Sequence, residues 1–245
     1  RQAIKEGKIS IKTIDNRVAD ILKVKFWLGL FDNPYRGDGK LAEKIVHCKE
    51  HQEVALEAAR QSLVLLKNDN QLLPLKKTVK SVAVIGPNAD ERTQLICRYG
   101  PANAPIKTVY QGIKEMLPDV EVIYKKGCEI IDSHFPESEI LPFEKTAEEQ
   151  QMLNEAVKAA SNAEVVILVL GGSELTVRED RSRTSLNLPG HQQELMQAIY
   201  ATGKPTVLVL LDGRASTINY ANQYIPAIIH AWFPGEFAGT AVAEA

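Results

Sequence analysis

The stretch Val165-Val166-Ile167-Leu168-Val169-Leu170, closed by Gly171-Gly172, decides the fold. An amphipathic helix would interrupt such a run with polar residues every third or fourth position, and a half-exposed strand would alternate. This run does neither, and its side chains are mostly branched at Cβ, so it reads as a strand covered on both faces. Working outward, similar runs occur at Val82-Ala83-Val84-Ile85, Val120-Glu121-Val122-Ile123-Tyr124, Val207-Leu208-Val209-Leu210-Leu211 and Ala227-Ile228-Ile229-His230-Ala231. Helical patterns separate them near residues 108–117, 147–160, 191–202 and 237–245. Alternating strands and helices of this kind predict an α/β domain, a doubly wound and mostly parallel sheet with helices on both faces. In such sheets ligands bind beyond the carboxyl ends of the strands. The loops at 86–90, 125–131, 171–189, 212–214 and 233–236 are therefore where chemistry is expected.

Upstream the pattern differs. Ile14, Val18, Ile21, Leu22, Val24 and Phe26 recur at helical steps, with Ser10 placed to cap the first turn through its hydroxyl. The Gly-, Pro-, Asp- and Asn-rich run from Leu28 to Gly39 ends that helix and reads as a linker. A second helix is expected from about His51 to Lys67, ended by Asn68-Asp69-Asn70. The 245 residues carry 29 basic and 31 acidic side chains and are 44% hydrophobic, a composition ordinary for a soluble globular protein. With no basic block, a dedicated nucleic-acid binder is disfavoured, and no apolar run reaches the roughly 18 residues of a membrane span. Cys48, Cys97 and Cys128 are too few and scattered for a disulfide framework or a zinc site, though one bridge and a free thiol stay open. The chain begins at Arg1 and stops at Ala245 within a helical pattern, so both ends are expected to be cut.

The loop from Gly171 to Pro189 is far longer than the roughly two to six residues usual for such connections, and it is charged at every position from Arg178 to Arg183 except Ser182. A carboxylate flanked by arginines can be held in place while burial and neighbouring charge tune its protonation, which makes Glu179 the candidate acid/base. The competing reading is a solvated charged loop whose arginines pair with Asp180. Other chemistries fare worse. Gly171-Gly172-Ser173-Glu174-Leu175 lacks the second glycine of a nucleophile elbow, and no dinucleotide fingerprint is present. His47 and His51 share a helix face without a third ligand, so neither a metal nor any other cofactor is expected. Asp212 ends a strand as a phosphoacceptor would, but Gly86-Pro87-Asn88 stands where the acidic pair for Mg²⁺ is needed, and Asp212-Gly213 reads as a turn.

Several segments, in order, resemble glycoside hydrolase family 3, which includes β-glucosidases, β-xylosidases and related exo-acting enzymes. They are Gly7-Lys8-Ile9-Ser10 with Ile14-Asp15, Lys25-Phe26-Trp27-Leu28-Gly29-Leu30-Phe31-Asp32-Asn33-Pro34-Tyr35, Ala58 to Asn68 with Leu72-Leu73-Pro74-Leu75, Val82 to Asn88, Val207 to Arg214, and Ala231-Trp232-Phe233-Pro234-Gly235-Glu236. The resemblance implies the last helix of a (β/α)₈ barrel at 1–30, an interdomain linker at 31–50, and an α/β sandwich domain at 51–245, truncated at its C-terminus. It also implies a retaining hydrolase that removes terminal β-linked sugars, β-glucosidase first and β-xylosidase next, acting with an upstream barrel that holds the nucleophilic Asp. This piece alone would then be inactive. Many members carry Glu-Gly-x-Asp-Arg before a Leu-Pro in this loop, and the Glu is the proton donor. Glu179, Arg183 and Leu188-Pro189 take those positions, with Asp180 in place of the Gly and Ser182 in place of the Asp. Glu174 is the reserve acid/base, and Asp180 and Arg183 support the loop. Arg98 and Tyr99 are candidate sugar contacts, since Cys97-Arg98-Tyr99-Gly100 is similar to a loop that approaches the sugar in some members. Cations near a carboxyl depress its pKa, so most of the loop's guanidinium groups are expected to point away from Glu179. The alternative is a degenerate homologue whose α/β domain only binds carbohydrate or a partner. Sugar specificity is not legible, and only the resemblance favours a periplasmic or secreted location.

Overall fold

The computed structural model describes every residue except Arg36, Cys97, Arg98 and Ala102, and only the backbone of Gln94 and Ile96. It divides into two compact units, Arg1–His51 and Gln52–Ala245. Among its described residues the first contains α1 (Gln2–Lys5), α2 (Ile11–Trp27) and α3 (Gly39–Ile45). The Ser10 hydroxyl accepts from the Thr13 amide at 3.1 Å, as the cap reading anticipates, and Asp38 caps α3 through the amides of Lys40 and Leu41. α2 buries none of its residues. Its apolar positions Ile11, Val18, Ile21, Phe26 and Trp27 are exposed.

Helix α4 (Lys49–Ser62) leads in sequence to a six-stranded sheet. The strands are β1 (Val64–Asn68), β2 (Ser81–Ile85), β3 (Glu121–Lys125), β4 (Val165–Gly171), β5 (Thr206–Leu211) and β6 (Ala227–His230), in the order β1-β6-β5-β4-β2-β3. All neighbours are parallel except β1, which runs antiparallel to β6 with a register shift between Leu65 and Lys67. The helix expected to run to Lys67 therefore stops at Ser62, and Val64–Asn68 is a strand. A short continuous apolar run does not distinguish helix from strand by periodicity; pairing with β6 decides it. Asn68 then closes the following turn, its amide side chain donating to the Leu73 carbonyl and accepting from the Leu73 amide, both at 2.9 Å.

The remaining helices are α5 (Thr93–Ile96), α6 (Val109–Met116), α7 (Ala147–Asn162), α8 (Gln192–Tyr200), α9 (Asn219–Tyr224) and α10 (Ala238–Glu244). They cover the sheet as the period of two in β4 requires. Val166, Leu168 and Leu170 join Ala156 and Ala160 of α7, Leu195, Met196 and Ile199 of α8, and Ala221 of α9 in one core. Ile167 and Val169 face the other way, into a core with Val109 and Ile113 of α6 and Ala238 and Val242 of α10. The expected doubly wound α/β architecture is present.

On the second face α6 and α10 approach until backbone meets backbone. A Cβ on Gly112 would lie 2.0 Å from the Gly239 carbonyl oxygen, and one on Gly239 2.0 Å from that of Thr108. Main-chain atoms of two packed helices have nowhere to move, so Gly112→Ala should destabilise the domain by about 1–3 kcal/mol or more, read as a lowered midpoint in urea unfolding.

Candidate functional site

Chain order along the parallel part of the sheet reverses between β2 and β4, so the loops that follow these two strands flank the topological switch point where ligands of such sheets bind. The charged loop leaves β4 at that point. Its root is buried and fully engaged. Gly171 sits at φ +147°, where an added Cβ would come within 1.9 Å of the Leu211 carbonyl oxygen, so the strand ends in a conformation and a space open to glycine. The Gly171 amide donates to Gln192 Oε1 at 2.8 Å, and Gln192 Nε2 returns bonds to the carbonyls of Gly171 and Ile130. From across the switch point, Asn88 Nδ2 donates to the Gly172 carbonyl at 2.8 Å. Asn88 is 1% exposed, and its Oδ1 is buried with no partner among the described residues.

The loop next makes one buried turn. Thr176 Oγ1 accepts from the Ser173 amide at 2.9 Å, and the Ser173 carbonyl accepts from the amides of Thr176 and Val177. A tight turn from Arg178 to Arg181 follows, closed by Arg181 N–H donating to the Arg178 carbonyl at 3.1 Å. Glu179 and Asp180 are its two central residues, both exposed. Arg178 grips Asp180 through Nε and Nη2, the first at 2.8 Å. That guanidinium holds the Asp180 carboxyl down to about 2.

Arg183 turns elsewhere. Its Nε and Glu139 form an ion pair with side chains only 6% and 4% exposed, and its Nη2 donates to the Asn187 carbonyl at 2.8 Å. Glu139 also accepts from the Thr184 amide and hydroxyl, both at 2.9 Å. Burial pushes the Glu139 carboxyl up, but the Thr184 and Arg183 bonds outweigh it, and its pKa lies below the ordinary range. Arg178 is thus partnered with Asp180, as both readings of the loop expect, and Arg183 with Glu139 and a backbone carbonyl. Glu174, the reserve carboxyl, is half-buried, and its Oε1 is buried without a partner among the described residues. Asp180 first, then Glu174 and Tyr99, raise the Arg178 pKa, so the structure brings Tyr99 and Glu174 into the neighbourhood of the charged turn. Tyr99 is 73% exposed; Arg98 lies outside the described residues.

Asn88, Gln192, Glu139 and Arg214 carry no role in the sequence reading. Glu139 has no motif around it, and Gln192 sits in a helical pattern with nothing to single it out. Asn88 and Arg214 fall in the loops expected to matter, but only the sheet order aims their side chains. No group of three or more metal-ligating side chains exists among the described residues, and no described helix is long and apolar enough to cross a membrane. Cys48 and Cys128 are free thiols; Cys97 lies outside the described residues. Chemically, the arrangement presents Glu179 as an exposed carboxyl on a braced turn at the ligand-binding end of the sheet, with Arg178 and Arg183 bonded to Asp180 and Glu139.

The buried Glu139–Arg183 pair makes two predictions. Arg183→Met leaves a buried carboxylate without its cation and should cost about 3–5 kcal/mol in urea unfolding. Because the Glu139 pKa is depressed on folding from the ordinary 4.5, its contribution is complete at neutral pH and is lost as pH falls through and below that value. Glu139→Gln should flatten that acid slope of the unfolding midpoint.

Comparison with known proteins adds independent findings. The family model for the glycosyl hydrolase family 3 C-terminal domain matches residues 63–245. A β-xylosidase of Formosa agariphila is 39% identical over 253 residues, covering 100% of the chain and 33% of the relative. A periplasmic β-glucosidase of Salmonella typhimurium is 36% identical over 258 residues, covering 98% and 33%. Among solved structures, a β-glucosidase of Erythrobacter marinus superposes with TM-score 0.86 at 32% identity, covering 99% of this chain and 34% of that one. The chain spans about a third of the length of these relatives.

Proposed function

The chain belongs to glycosyl hydrolase family 3, and on that premise we propose that the protein carrying it is a retaining, exo-acting hydrolase of terminal β-linked sugars. β-Glucosidase activity is the first expectation and β-xylosidase the next. One observation carries the reading: Glu179 stands on the loop that leaves β4 at the switch point, with the flanking guanidinium groups of Arg178 and Arg183 committed to other carboxylates. Residues 1–30 are read as the helical end of a barrel domain, 31–50 as a linker, and 51–245 as the α/β sandwich. The exposed apolar positions of α2 fit a barrel helix whose neighbours would cover them.

Retaining hydrolysis uses two carboxyl groups about 5–5.5 Å apart. A nucleophilic carboxylate, assigned to the upstream barrel, attacks the anomeric carbon while the bond to the leaving oxygen breaks and Glu179 gives that oxygen its proton. Water then attacks the same carbon, passes a proton to Glu179, and frees the nucleophile. Glu179 must therefore be protonated in the first step and ionised in the second, with a pKa near working pH. On this reading Asp180, Arg183 and the reserve Glu174 shape the surroundings of the acid, and Tyr99 and Arg98 approach the sugar. The split of the two carboxyls between domains leaves the present chain inactive by itself.

In the intact protein, Glu179→Ala should lower kcat on nitrophenyl β-glycosides roughly 10²–10⁴-fold because deglycosylation loses its base, with azide restoring turnover by replacing the water that needs that base; wild-type turnover in this variant would overturn the assignment.

A further inference from the structure

The turn that bears Glu179 is held from outside its own loop. Arg214 follows β5, and its Nη2 donates to the carbonyl oxygens of Arg178 at 3.1 Å and Arg181 at 2.6 Å. These are the first and last residues of the tight turn, so one guanidinium nitrogen grips both ends of the segment whose second residue is Glu179. The turn's own closure is a single amide bond on an exposed surface, which by itself would open readily.

The grip has its own foundation. Asp212, 1% exposed, accepts from the Arg214 amide at 3.1 Å through Oδ1 and from the Ser216 hydroxyl at 2.6 Å through Oδ2. Gly213 lets this turn lie against the loop, since a Cβ there would meet Val177 Cγ1 at 2.6 Å and Phe233 Cε2 at 2.9 Å. Further along, the Thr217 amide donates to the Leu186 carbonyl at 2.7 Å, and Asn187 and Thr217 form an isolated bridge. The segment after β5 therefore seizes the charged loop at its tip and again on its return.

We propose that Arg214 is a positioning residue for catalysis, fixing the Glu179 carboxyl by clamping both ends of its turn, with Asp212 setting the arginine. The proposal rests on Glu179 being the acid/base. An arginine suits the task because its charge is permanent and its Nη2 carries two N–H groups, one for each carbonyl, on a rigid planar group.

The test compares, in the intact protein, substrates that need a proton donor with those that do not. Misplacing a general acid by about 1 Å can cost on the order of 100-fold. Arg214→Ala should therefore lower kcat/KM roughly 10- to 100-fold on an unactivated β-disaccharide and barely change it on a dinitrophenyl β-glycoside, whose leaving group departs without protonation. Arg214→Lys, which keeps a cation but loses the rigid planar guanidinium, should fall between. Glu179→Gln serves as the reference and should show the same split with a larger loss. If Arg214→Ala loses activity equally on both substrates, or loses none, the clamp is overturned. If Glu179→Gln shows no split, the acid/base reading fails first. Should Arg214→Ala not fold, Arg214→Lys decides alone on the same two criteria.

Discussion

Everything in the second unit depends on β4 being buried from Val165 to Gly171. A strand with no exposed face needs helices on each side, and α7, α8 and α9 on one side with α6 and α10 on the other meet that need. The same burial creates a problem where the strand ends, because the backbone amides and carbonyls of Gly171 and Gly172 emerge in a dry environment. Gln192 solves it for both groups of Gly171, while the Gly172 amide donates to the Leu211 carbonyl and the Gly172 carbonyl accepts from Asn88. Those bonds also fix the direction in which the loop leaves the sheet, so packing and site geometry have a common origin.

Charge within the loop is organised by division of partners. Arg178 bonds Asp180 within the exposed turn, where the pair restrains conformation more than it adds stability. Arg183 reaches a buried glutamate on a separate segment, so the returning half of the loop is tied to the region between β3 and α7. The Asp180 side chain supplies the partner for Arg178.

The strands with continuous apolar character were legible because two-sided burial writes itself into every position, and the Ser10 cap because its bond spans three residues. β1 was not. Its apolar run continues the pattern of α4, and only β6, far along the chain, turns it into a strand. The charged loop stood out by length and composition, whereas its supports did not. Glu139 and Arg214 act through contacts set by the order of strands in the sheet, and single side chains whose partners lie on other segments leave no periodic trace. The resemblance to a family makes Glu179 a candidate by position; the bracing of its turn by Arg214 is visible only in three dimensions.

The pairing of β1 with β6 joins the first strand of the sheet to the last. Synthesis proceeds from the N-terminus, so Val64 to Leu66 emerge well before Ala227 exists to receive them. During that interval the parallel strands and their helices can assemble, but the outermost ladder cannot. An apolar segment with open hydrogen-bonding groups waits at the margin of the nascent domain, the condition under which strands recruit foreign partners. The irregularity between Leu65 and Lys67 and the charge of Lys67 make this margin a poor template for such encounters. The domain's vulnerability during its birth thus lies at the opposite edge of its logic from its chemistry, in the one strand that runs against the rest.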